Sequence, residues 1–173
     1  MKASVVLTVI GPDHPGLVES LAEVVAAHGG NWEEGRMAHL DGHFAGLLRV
    51  GVDPAKRDAL ETALGALKDL SVTSTTSAPP DEADAGPLYS LDVLGLDHEG
   101  IVLELSRALS RHGVNVEELT STCESAPMSG ETLFKATANL RLPAAASPDE
   151  LREKLEAIAG HLMVDVTLSP LDD

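Results

Sequence analysis

The segment Gly11-Pro12-Asp13-His14-Pro15-Gly16-Leu17-Val18 returns without a gap as Gly95-Leu96-Asp97-His98-Glu99-Gly100-Ile101-Val102. Each copy runs into an apolar helical pattern and then a second shared signature, His28-Gly29-Gly30-Asn31 in one half and His112-Gly113-Val114-Asn115 in the other, at the same offset of 84 residues. A self-match at one fixed, domain-sized offset means a duplicated folding unit, so the function has to be one that can occur twice or between copies. A single catalytic apparatus fits that requirement poorly.

Within each unit the order of elements can be read from periodicity. Residues 3–10 form an apolar, β-branched run, and Leu17, Val18, Leu21, Val24 and Val25 then fall at helical spacing. Gly29-Gly30 ends that helix, and Asp41-Gly42 between Asn31–Leu40 and Phe44–Val52 predicts a tight hairpin. Asp53-Pro54 reads as a cap with proline at the first helical position, followed by a stripe of Leu60, Ala63, Leu64 and Leu67 and a closing strand over residues 70–77. The sequence strand, helix, strand, strand, helix, strand predicts an α+β fold, the ferredoxin-like βαββαβ arrangement, with an antiparallel sheet covered on one face by two helices. The second copy repeats it: Ile101, Val102, Leu105, Ala108 and Leu109 form its first stripe, Ser147-Pro148-Asp149-Glu150 a capping box, Leu151, Leu155 and Ile158 the second stripe, and Met163–Leu168 its last strand. Residues 78–87, rich in proline, acid and small residues, read as a linker between a first domain over residues 1–77 and a second over 88–173. The second copy is ten residues longer between its asparagine and its second helix cap, with the excess expected in Ser125–Gly130 and Pro143–Ala146.

Composition removes several classes of function. The formal charge is −16, and the first 84 residues carry 6 basic and 13 acidic side chains against 6 and 15 in the rest, so neither half offers the clustered Lys and Arg that a phosphate backbone needs. Aromatic residues at 2% are too few to bind bases by stacking instead. Direct nucleic-acid binding and attachment to anionic membranes are therefore not expected. The lone Cys123 cannot make an internal disulfide and reads as a small buried apolar group; with no segment near the roughly 20 apolar residues that span a bilayer, a cytoplasmic location is expected.

The repeated loop is the candidate site. Glycine allows close approach to the backbone, and the start of the following helix leaves N–H groups without internal partners, which attract a carboxylate. An Asp carboxylate and an Asn side chain nearby offer acceptors for an ammonium group, so loop and asparagine together suit a zwitterion such as a free amino acid. The same residues have a purely structural reading, in which Asp13 and Asp97 cap helices, Gly16 and Gly100 permit packing, and Asn31 and Asn115 follow helix ends because Asn tolerates left-handed backbone. His14 and His98 beside Asp13 and Asp97 suggest metal ligands for a metal-dependent enzyme, but one His and one Asp per copy fall short of a usual ligand set. Ser20, Cys123 and Glu33-Glu34 form no catalytic motif, and no metal or other cofactor is expected. His28 and His112 are placed to bond terminal helix carbonyls.

With the Asp-His-Pro-Gly loop, the helix ending in His-Gly-Gly-Asn and the six-element order, each unit resembles an ACT domain, and the tandem pair is similar to the glycine cleavage system transcriptional repressor family. The resemblance covers nearly the whole chain apart from the linker and the C-terminal tail. It implies regulation by a small molecule, commonly an amino acid, held where the loop of one domain meets the second-strand edge of another. The residues it carries over are Asp13, His14, Pro15, Gly16 and Asn31, with Asp97, His98, Gly100 and Asn115; Leu17 and Ile101, the first helical residues, complete the expected ligand-binding sets. A small amino acid, a regulatory protein partner and a homodimer are the associations expected. Glu99 in place of Pro15 and Val116 in place of Trp32 predict unequal sites. A ligand-free interaction module, pairing through its sheet edges, is the alternative.

Overall fold

The computed structural model describes residues 3–76, 86–126 and 130–171. The chain divides into two compact units, residues 1–80 and 81–173. Most of the expected linker, residues 78–85, lies outside the described residues, as do residues 127–129 of the expected insertion and residues 172–173.

In the first unit the elements are β1 (Ala3–Pro12), α1 (Leu17–Ala27), β2 (Asn31–Leu40), β3 (His43–Val52), α2 (Arg57–Gly65) and β4 (Ser71–Thr76). The strands form one antiparallel sheet in the order β2-β3-β1-β4. Strict alternation decides its faces: Val5, Leu7 and Val9 of β1 and Leu48, Val50 and Val52 of β3 are buried, with Leu17, Leu21 and Val25 of α1 and Leu60 and Leu64 of α2, in one core. Ile10 and Leu47 lie on the opposite, exposed face. The turn between β2 and β3 has positive φ at both Asp41 (47°) and Gly42 (75°), the backbone that matches the twist of a two-residue hairpin.

The second unit repeats the plan with β5 (Leu88–Leu96), α3 (Ile101–Arg111), β6 (Asn115–Ser125), β7 (Thr132–Arg141), α4 (Pro148–Leu162) and β8 (Val164–Pro170), in the sheet order β6-β7-β5-β8. Both units are thus ferredoxin-like α+β domains with antiparallel sheets, as the periodicity predicts. A bulge falls at the same point of both edge strands, between Trp32 and Glu34 and between Val116 and Glu118.

Four local expectations need correction. Val18 and Val102, adjacent to the buried Leu17 and Ile101, are 46% and 45% exposed, because the face that packs on the sheet is centred on Leu17, Leu21 and Val25 in α1 and on Ile101, Leu105 and Leu109 in α3. Asp53 caps a 3-10 turn over Pro54–Lys56 by accepting from the Ala55 N–H at 2.9 Å, and α2 proper begins after it. Met163 is not in the last strand; it ends α4 in left-handed conformation, φ 52°, where a glycine would sit without strain. Cys123 is exposed on β6 rather than buried.

Candidate functional site

The corner between β1 and α1 is built by the geometry of its glycine. Gly16 occupies the cap position of α1 at φ 98°, ψ −6°, and Gly100 that of α3 at φ 98°, ψ −7°. Being glycines, neither cap can bond its helix's first turn through a side chain. The carbonyls of Gly16 and Gly100 accept the first helical bonds, from the N–H groups of Ser20 and Glu104 at 2.9 Å in both cases. The N–H groups between, at Leu17–Glu19 and Ile101–Leu103, have no partner inside the helix. Apart from its two chain neighbours, no atom of the described residues lies within 4 Å of where a Cβ on either glycine would stand, so the corner opens outward.

Asp13 and Asp97, expected either as caps or as acceptors for an ammonium group, are tied to the hairpin instead. The Asp13 N–H donates to the Gly42 carbonyl at 2.9 Å, and its carboxylate lies 2.5 Å from Nδ1 of His39 near the end of β2. The Asp97 N–H donates to the Thr132 carbonyl at 2.8 Å, and its carboxylate faces Cys123. Shielding by the surrounding chain and then the charge of Asp97 hold the Cys123 thiol above its ordinary pKa, although the residue as a whole is exposed. His39 and Cys123 occupy the same place in the repeat, since His39 pairs with Phe44 and Cys123 with Phe134. Sequence reasoning missed their place beside the aspartates, because the repeat preserves their position and not their residue type.

The loop histidines differ between the units. Nδ1 of His14 lies 3.0 Å from the Pro15 carbonyl, with Nε2 3.8 Å from the Asp69 carboxylate. In His98, Nδ1 lies 3.0 Å from the Glu99 carbonyl and Nε2 2.7 Å from the Leu162 carbonyl at the end of α4. Two carbonyl acceptors require both ring nitrogens to carry protons, so the Leu162 carbonyl foremost, then that of Glu99, raise the His98 pKa above 6.5. With their imidazoles engaged this way, the loops do not gather a metal ligand set, and among the described residues no three His, Cys, Asp or Glu side chains converge on a point that could hold an ion.

Asp13, His14, Pro15, Gly16 and Leu17 are contiguous at one corner, and Asp97, His98, Gly100 and Ile101 at the other. Asn31 and Asn115 are not with them. They open β2 and β6, opposite Gly51 and Arg141, beyond the far end of an 11-residue helix about 16 Å long. A loop and an asparagine of the same unit therefore do not face one molecule the size of an amino acid. His28 and His112 sit at those far ends, each with Nδ1 2.8 Å from the carbonyl four residues earlier, Val24 and Ala108.

Within the first unit, residues 3–74 match the ACT domain family. The second unit repeats the strand order and the corner geometry, so the chain holds two copies of the same fold. Over 162 residues it is 24% identical to the glycine cleavage system transcriptional repressor of Escherichia coli (strain K12) and equally to that of Shigella flexneri, a match spanning 91% of this chain and 84% of theirs. A crystal structure of a protein of unknown function from Galdieria sulphuraria superposes with a TM-score of 0.85 at 28% identity, covering 99% of this chain and all of the other. A second crystal structure, provisionally named a glycine cleavage system transcriptional repressor, superposes with a TM-score of 0.71 at 20% identity over 100% of this chain and 99% of that one, a likeness of fold. No helix among the described residues is long and apolar enough to cross a membrane.

Proposed function

We propose that this protein is an amino-acid-responsive regulator, in which a small amino acid docks its carboxylate on the uncapped first turn of α1 and changes the affinity for a protein partner. The observation that carries this reading is the pair of open helix starts, two cap glycines at φ 98° that bring no side chain to close the turn. Unpaired N–H groups at the positive end of a helix favour a carboxylate. The ACT family match and the similarity to glycine cleavage system repressors support a regulatory role in transcription, and glycine or another small amino acid is the ligand class that goes with it. Because the chain carries a charge of −16, it acts through a DNA-binding protein rather than on DNA itself.

The ligand's ammonium group needs acceptors that Asp13, bound to His39, supplies only in part. Asn31 of a second copy of the chain, presented at the open β2 edge, is the complement, which makes the active species a homodimer. The first corner binds more tightly than the second, since Glu99 adds a negative charge beside the carboxylate position that Pro15 leaves neutral. The test is a thermal shift across the twenty common amino acids. A ligand at 100 times its Kd stabilises by about 2.7 kcal/mol, so one or a few small amino acids raise Tm; a flat response across the panel overturns the proposal and favours a ligand-free interaction module.

A further inference from the structure

The loop histidine of each unit reaches from its corner toward the end of that unit's second helix, and the two ends are built differently. In the first unit α2 stops at Gly65, and His14 faces the Asp69 carboxylate at 3.8 Å with both side chains exposed. In the second, α4 runs to Leu162, where Met163 turns left-handed at φ 52° and stops it. The last carbonyls of a helix have no partner within it, and a positive charge is favoured there. Protonated His98 supplies both a donor and a charge, with Nε2 2.7 Å from the Leu162 carbonyl. Its Nδ1 lies 3.0 Å from the carbonyl of Glu99, the residue before the cap Gly100. The ring thus bridges the corner and the helix end, and the bridge needs a proton on each nitrogen. A neutral imidazole carries one N–H, so either tautomer keeps one contact and sets a lone pair against the other carbonyl. His14 makes no such demand, since a neutral ring satisfies its carbonyl partner, that of Pro15.

The charge that acts on the ring is that of the adjacent Asp97, whose carboxylate also faces the Cys123 thiol of β6. Glu99 adds a second carboxylate to the loop. In α3, Glu104 is taken by Arg107 at 2.7 Å; in α4, Nδ1 of His161 lies 2.8 Å from the Ala157 carbonyl; in β8, Asp165 shares the uncovered face of the sheet with Lys135. Loss of the His98 proton therefore has two effects. It opens the bridge at one of its ends, and it leaves Asp97 and Glu99 without a positive neighbour in the loop, beside the helix start that is open to a carboxylate.

We propose that His98 is a proton-operated bridge between the second corner and the end of α4, closed when its ring is protonated and open when it is not, and that opening weakens the hold of that corner on a carboxylate. The weakening, though not the bridge, rests on the amino-acid reading of the corners. Carbon-13 NMR of the full-length protein without ligand, titrated from pH 5.5 to 8.5, reads the bridge. The carbonyl carbons of Glu99 and Leu162 shift together with the His98 ring about one midpoint above 6.5, and His98→Gln abolishes those carbonyl shifts. Glycine is the probe for the corner. Followed at the amides of Ile101, Val102 and Leu103, its affinity falls by about tenfold from pH 5.5 to 8.5, matched by a rise of about one pH unit in the His98 midpoint when glycine is bound, and stays level in His98→Gln. Carbonyl carbons that do not follow the ring, or that shift equally in His98→Gln, overturn the bridge. Equal glycine affinity at both pH values while the bridge opens overturns its control of the corner and leaves the amino-acid reading standing. Glycine that moves the amides of neither corner at either pH overturns that control together with the reading beneath it.

Discussion

Gly16 and Gly100 hold the same backbone conformation at 84 residues' distance, and that conformation is what any side chain would disturb. Gly16→Ala meets open space, so its cost is that of the positive φ alone, about 1 kcal/mol of unfolding free energy by chemical denaturation. His98 carries a second prediction. Its folded-state pKa is raised, so the protonated ring's stabilisation is present in full below pH 6.5 and is lost as pH rises through the higher folded value. Relative to His98→Gln, the wild-type denaturation midpoint should therefore fall on passing from pH 5.5 to 8.5; the same difference at both ends would remove the bond to Leu162 from the account. The Asp-His-X-Gly corner is legible in sequence because its residues are contiguous. His39 and Cys123 are not, because register across a hairpin brings them to the aspartates and the two differ in type.

At the scale of elements, periodicity shows the four helices and the central strands β1, β3, β5 and β7, since each buries a face of fixed period in its core, whereas the edge strands β2 and β6, with no fully buried residue, are legible from the hairpin turn and the repeat. It failed at ends, where the decision belongs to single backbone angles. Nothing in the run Leu162-Met163-Val164 shows that the methionine turns left-handed and stops α4. Met163 is largely exposed, so Met163→Gly should raise stability by about 0.5 kcal/mol or more, relief of the left-handed strain exceeding the added freedom of the unfolded chain. Core positions behave oppositely: Leu155→Ala, at a fully buried position of α4, should cost about 2–5 kcal/mol, read from the same denaturation curves. Asn31 and Asn115 mark the limit of the sequence reading of the site. Their spacing from the loops is the same in both copies, yet a helix of three turns separates them from the corner they were expected to share.

For the whole molecule, duplication supplies two corners and divergence makes them unequal. Calorimetry with the amino acid identified by thermal shift should give a stronger and a weaker site, and Asn31→Ala should weaken the stronger one while Asn115→Ala leaves it unchanged. Under the proposed function coupling to a partner is reciprocal, so a partner should change the ligand's affinity by the factor with which the ligand changes the partner's. The backbone amide spectrum of the full chain during that titration tests the central claim most directly. Shifts centred on the N–H groups of Leu17, Val18 and Glu19 are the predicted result; saturating ligand that leaves those three amides in place contradicts it.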